Sequence, residues 1–222
     1  FEKFEQAERY YSQSVRIQKD FIPAKINRAL LVLHFFNNIV QSITDLNEVL
    51  QTLKPMQIFA TKSQLKRYQM ISSYNLATIL MLVSNNDLIL PSISKIFTIT
   101  GENNLIKKQL HDIIVDLYQQ VISAATDSAR RDLEANARKR HWQRKSKEQI
   151  VLEKFREHAV FRSSLINLSF FHAVCRHNKS TALGLLKHAL RVDPSDQVAK
   201  NNMMAILTSG MWPKMGIGGE IE

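Results

Sequence analysis

The densest run of chemistry-bearing side chains in this sequence lies between Arg138 and Lys147. It holds six bases, Arg138, Lys139, Arg140, Arg144, Lys145 and Lys147, with Trp142 among them and no acid. Guanidinium and ammonium groups at that density suit phosphate contacts, and an indole offers a face on which a base can stack. The same charge suits an acidic protein surface or an anionic lipid headgroup. A solvated connector kept soluble by its charge needs no ligand. The whole chain leans the same way. Its 30 Lys and Arg against 20 Asp and Glu give a formal charge of +10, which favours all the binding readings without choosing among them.

Reactive constellations are missing from the pattern. His172, Cys175 and His177 lie close in sequence, but a zinc site needs three or four ligands at suitable spacing, and a lone thiol is commonly a small buried hydrophobe. Glu157-His158 lacks the second His of a zinc-protease helix. Gly216-Ile217-Gly218-Gly219 neither follows a strand nor opens a helix, so it is not a phosphate loop. No Gly-x-Ser-x-Gly elbow occurs. The sequence therefore names no catalytic residue, no metal ligand, no cofactor and no small-molecule substrate, and the expectation is that the chain is not an enzyme.

A third pattern is repetition around asparagine. Asn27, Asn75 and Asn167 sit in the similar phrases Ile-Asn-Arg-Ala, Tyr-Asn-Leu-Ala and Ile-Asn-Leu-Ser. They lie 48 and 92 residues apart, which suggests units of about 46 residues through the middle of the chain. Asn201 follows Asn167 by 34. Asn is locally unfavourable inside a helix, so its recurrence calls for a reason.

The elements that must position these residues are helices. From Leu165 to Pro194 apolar residues recur at three- and four-residue steps in two halves, separated by the polar break Arg176-His177-Asn178-Lys179-Ser180. Ser180 or Thr181 is the expected N-cap of the second half, and Pro194 ends it. Within that second half stand Ala182, Leu186, Ala189 and Pro194, spaced by four, three and five. This stretch resembles a tetratricopeptide repeat, in which small residues let neighbouring helices approach and the Pro fixes the turn to the next unit. Ala7, Tyr11 and Ser14 repeat the spacing near the start of the chain. The resemblance implies an all-α fold, an α-solenoid of antiparallel helix pairs forming a superhelix, irregular in the middle. A HEAT-like array, whose units have about the middle length, is the competing architecture. The resemblance also implies that the first helix of each unit lines a groove, where Asn27, Asn75 and Asn167, with Lys25 and Arg162 nearby, would read an extended peptide backbone. The alternative role for those Asn residues is to satisfy backbone groups between neighbouring helices.

Composition agrees with a helical chain: six Gly and five Pro in 222 residues, 45% hydrophobic, one Cys. Four regions are expected. Residues 1–125 form an N-terminal helical array, 126–148 a basic connector or exposed helix, 149–210 a second repeat with a capping helix, and 211–222 a tail. The single Cys fits a reducing compartment. The apolar runs are too short to span a membrane, and no signal-peptide pattern opens the chain. It begins at Phe1 rather than Met, which reads as a fragment or processed form. The expected setting is the cytoplasm, with the nucleus as the alternative. The expected role is a scaffold or adaptor that holds a protein or peptide partner, as a subunit of a larger assembly. The alternative is nucleic-acid binding through 138–147.

Overall fold

The computed structural model describes residues 2–56, 62–137, 152, 155 and 159–208. The described residues form helices joined by turns and contain no strand. In chain order the helices are α1 (Glu2–Ile17), α2 (Ile22–Phe36), α3 (Ile39–Met56), α4 (Lys62–Val83), α5 (Leu90–Phe97), α6 (Asn103–Ala137), α7 (Ala159–Val174), α8 (Lys179–Val192) and α9 (Gln197–Leu207). None of them is long and apolar enough to cross a membrane. Two compact units result, Phe1–Leu117 and Tyr118–Glu222. The division falls inside α6, upstream of the composition shift expected at residue 126.

In the first unit α1 packs on α2, α2 on α3 and α3 on α4, with further contacts from α2 to α4 and from α3 to α5. The core between α2 and α3 gathers Ile22, Ile26, Val49 and Leu53, over which Leu65, Tyr68 and Ile71 of α4 close. α1 covers one side of this layer without burying any of its own residues. Its Phe4 ring stacks on Phe35 with centroids 3.6 Å apart. Gly101, before α6, has φ +130, and a Cβ there would stand 2.7 Å from Leu105, so the position both allows and needs glycine.

In the second unit α7 packs on α8, α8 on α9, and α7 on α9. Ala182, Leu186 and Ala189, the triplet that carries the repeat spacing, are fully buried. Phe161 is fully buried, stacks on Phe155 and meets the His188 ring edge-on. The N-cap of α8 is Asn178, not Ser180 or Thr181: its side chain accepts from Thr181 N–H at 3.1 Å. Asn178 has a non-helical backbone, φ −101 and ψ 81, as a cap requires, which leaves Ser180 and Thr181 in the first turn.

The hairpins α2–α3 and α7–α8 follow one plan. A shift of 140 positions carries Asn27 onto Asn167 and the first turn onto the second. Asn37 and His177 both take a left-handed backbone, with φ 50 and 51. The next residue in each, Asn38 or Asn178, caps the following helix by accepting from the backbone N–H three residues on, at 3.1 Å in both. The shift also pairs fully buried positions: Ala29 with Ser169, Ser42 with Ala182, Leu46 with Leu186, and Val49 with Ala189. Small residues recur where helices cross, which is why the two hairpins pack alike.

α3 continues past Pro55 to Met56, since a proline at a helix end forfeits little of the hydrogen-bond ladder. α6 continues to Ala137 through the stretch expected as a connector or exposed helix. There Ala125 and Ala129 are buried, while Thr126, Asp127, Arg130 and Arg131 are exposed.

Candidate functional site

The residues expected to line a groove are distributed over both units. Asn27 on α2 is exposed and Asn75 on α4 is half-buried, both in the first unit. Asn167 on α7 is buried, in the second. Lys25 is buried too, and its ammonium is committed to Glu48 at 2.8 Å. Arg162 on α7 is half-buried and clamps the turn between α8 and α9, bonding Asp193 through Nη1 and Asp196 through Nε at 3.0 Å. The basic run Arg138, Lys139, Arg140, Trp142, Arg144, Lys145 and Lys147 lies outside the described residues. His172, the other chemistry-bearing residue of α7, has a buried Nδ1 that meets no hydrogen-bond partner, and burial aided by Arg176 pushes its pKa down. Burial pushes the Cys175 thiol up, away from reactive thiolate.

The most developed polar arrangement lies in the first unit, around Arg28. Its guanidinium grips Asp45 of α3 with two bonds, Nε to Oδ2 at 2.7 Å and Nη2 to Oδ1 at 2.6 Å. This two-pronged bond, together with the charges of Asp45, Glu8 and Glu48, outweighs burial and raises the Arg28 pKa. Asp45 also accepts from Gln41 Nε2 at 2.8 Å. On the other side Arg28 Nη1 donates to Ser12 Oγ of α1 at 3.2 Å, and Ser12 donates onward to Glu8 at 2.6 Å. One chain of bonds thus ties α1, α2 and α3 together. Asp45 is almost wholly shielded from water and Arg28 largely so. A buried carboxylate of this kind persists as an ion only because a fixed cation and further donors meet it.

This chain of bonds borders an open cleft of about 450 Å³. α1 contributes Glu5, Glu8, Arg9 and Ser12 to its wall. α2 contributes Arg28 with the apolar Val32 and Phe36, the α2–α3 turn adds Asn38, and the start of α3 adds Gln41. Asn38 uses its carbonyl oxygen as the cap of α3, and its amide N–H groups remain as donors. The wall therefore offers carboxylate and amide acceptors, guanidinium and amide donors, and an apolar strip. Those are the requirements of an extended polypeptide, whose backbone alternates donor and acceptor and whose side chains need apolar contact.

This network is not among the patterns legible in the sequence. The signal it left is a charged residue on a core stripe: Asp45 falls between Ser42 and Val49 at the helical step that apolar residues otherwise hold. Arg28 stands next to the fully buried Ala29. Each reads alone as an exposed charge, and only their meeting across two helices gives them a role. Comparison of the chain with protein-family models, with curated proteins and with solved structures finds no match.

Proposed function

We propose that this chain is a protein–protein interaction scaffold, built from repeated helical hairpins of the tetratricopeptide kind stacked as an α-solenoid, and that it holds a segment of a partner protein within a larger assembly. The shared register of α2–α3 and α7–α8 supports the repeat reading. So do the contacts of three helices with the next helix but one, α2 with α4, α3 with α5 and α7 with α9, which is how stacked hairpins meet. The observation that carries the binding reading is the cleft between α1, α2 and α3, with its mixed donors and acceptors and its apolar strip. The proposal gives the chain no reaction to catalyse. Its work is to present a fixed polar pattern to one extended segment.

The test compares the native chain with Ser12→Trp in a pull-down from the source cell, at low and high salt and with nuclease, read by mass spectrometry. Ser12 is half-buried on a helix that buries no residue, so the indole fills the cleft without displacing a core. Partners that survive nuclease with the native chain and vanish with Ser12→Trp fit the proposal. The same partners in both samples would remove the cleft as the binding site.

A further inference from the structure

The cleft between α1, α2 and α3 is not chemically even along its length. Two contacts fix how α1 runs against α2: the Phe4 ring lies on Phe35, and Ser12 Oγ accepts from Arg28 Nη1. The two helices are therefore antiparallel, and the turn of α1 that carries Glu5 and Glu8 lies opposite Val32 and Phe36. All four residues line the cleft. At the Ser12 end the charges are spent, because Arg28 and Asp45 satisfy each other. At the other end they are not. Glu8 is half-buried, receives the Ser12 hydroxyl on Oε1 and keeps Oε2 as an open acceptor. Glu5, exposed and nearly one turn before it, meets no hydrogen-bond or ion-pair partner among the described residues.

Charge and shape narrow what can enter there. With Arg28 and Asp45 cancelling, the wall holds two acids against Arg9, which pairs with neither. The wall is thus net negative in a chain whose formal charge is +10, so it favours a cation over an anion. Glu8 is also held in place, since Arg28 donates to Ser12 and Ser12 to Glu8, and a carboxylate already ordered loses little freedom on binding. Across from the acids stand Val32, 4% exposed, and the half-buried Phe36. A hard metal ion asks for a cage of oxygens and gains nothing from an apolar wall. A side chain that carries its cation on an apolar stem uses both walls at once. Of the two such side chains arginine fits better than lysine: its planar fork can donate to two carboxylates, and a guanidinium lies favourably against an aromatic ring.

We infer that this end of the cleft is a pocket for an arginine side chain of the partner segment. The Glu5 and Glu8 carboxylates accept from its guanidinium, and its methylenes lie along Val32 and Phe36. The inference rests on the scaffold reading of the cleft and adds to it the residue that the partner must present.

The experiment selects binders for the full chain from a random peptide library and measures the best of them by fluorescence anisotropy. The native chain is expected to enrich arginine. Glu5→Gln with Glu8→Gln removes both charges on a helix that buries no residue, and the amide oxygen introduced at position 8 can still accept from Ser12. This double variant is expected to bind the best peptide about tenfold more weakly and to lose the preference for arginine. Citrulline in place of the peptide's arginine keeps the shape and loses the charge. It is expected to weaken binding to the native chain by a similar factor and to the double variant hardly at all, a coupling that a merely structural role of the acids would not produce. Absence of binders, absence of arginine enrichment, or unchanged affinity in the double variant overturns the assignment. So does displacement of the peptide by spermidine or calcium at the peptide's own concentration, which would make the acids a general cation site. Ser12→Trp separates the two readings. Arginine peptides that still bind Ser12→Trp would remove the cleft itself, whereas peptides lost with Ser12→Trp but indifferent to the Glu5 and Glu8 changes would keep the cleft and remove only the arginine pocket.

Discussion

The hairpins α2–α3 and α7–α8 share a register, a turn and a set of buried small residues, yet they differ in what joins their two helices. In α2–α3 two ion pairs do it, Lys25 with Glu48 and Arg28 with Asp45. The shift of 140 positions replaces Arg28 and Asp45 by Leu168 and Leu185, and Lys25 and Glu48 by Leu165 and His188. Both hairpins have an apolar core, and where the first adds the Arg28–Asp45 pair the second has two leucines. The consequence is local. The first hairpin borders the polar cleft and reaches α1 through Ser12, while the second sets its ion pairs at the turn after α8, where Arg162 meets Asp193 and Asp196. One backbone plan thus supports two surfaces, and the identity of the pair that crosses between the helices decides which.

The strongest break of this comparison is to remove one partner of the buried pair. Arg28→Leu leaves Asp45 without its cation in a site nearly closed to water. A loss of about 3–5 kcal/mol in unfolding free energy, measured by urea titration, is expected. Adding Asp45→Leu reproduces the pair found in the second hairpin. Because a well-packed apolar pair can replace a buried ion pair at little or no loss, the double variant is expected to return to within about 1 kcal/mol of the native chain. It would still lack the bond to Ser12 and should not hold a partner in the cleft. A single variant as stable as the native chain would mean that the ion pair does not bind the helices together.

Next in size are the two caps. Asn38→Ala and Asn178→Ala each strip one helix N-terminus of its side-chain acceptor, at an expected loss of about 1 kcal/mol. The turns share their left-handed residue and their cap distance, so the two losses should agree within about 0.5 kcal/mol. A clear inequality would show that the shared register does not extend to the energetics of the turns.

These elements also mark how far the sequence could be read. The triplet Ala182, Leu186 and Ala189 announces its own burial, because small and apolar residues at four- and three-residue steps have one packed solution. The polar pairs Asn37-Asn38 and His177-Asn178 announce turns. Asn178 was harder to identify as the cap, since Asn, Ser and Thr in one short run all satisfy the same preference and only the backbone angles decide. The extension of α6 to Ala137 follows from propensity: Ala, Arg, Glu and Leu are strong helix formers and continue a helix after its apolar stripe has gone. The Arg28–Asp45 contact was illegible for another reason. Periodicity describes one helix at a time, and a bond across two helices depends on how they are packed. The cleft it borders was hidden in the same way.

A smaller difference between the hairpins is titratable. His172 stands where the first hairpin has Val32, and its pKa is lowered by burial and then by Arg176. His188 is shifted the same way, by burial and then by Arg191. The folded state thus resists protonation while the unfolded chain binds protons near the ordinary value of 6.5. The stabilisation held by the neutral imidazoles is complete above that pH and is lost as the pH falls below it toward the depressed folded values. Amide hydrogen exchange in α7 and α8 should quicken on acidification, and His172→Val should reduce that response. Exchange that ignores pH in this range, once corrected for its intrinsic pH dependence, would show that the buried Nδ1 finds an acceptor when protonated.

The least effect is expected at the other ion pair of the first hairpin. Lys25 is buried, but Glu48 is about half exposed, with 52% of its side chain open to water. Lys25→Met keeps the length of the stem and removes only the ammonium. Glu48 then rehydrates, unlike Asp45, which cannot. Lys25 is itself buried on α2, and methionine fits such a place. The expected change in unfolding free energy is within about 0.5 kcal/mol, of either sign. Set beside Arg28→Leu, the contrast isolates one variable. Both pairs bridge α2 and α3, and what separates them is whether the acid can return to water. Should Lys25→Met cost as much as Arg28→Leu, the two pairs would be equal members of one network, and the special position of Arg28 at the cleft would lose its energetic basis.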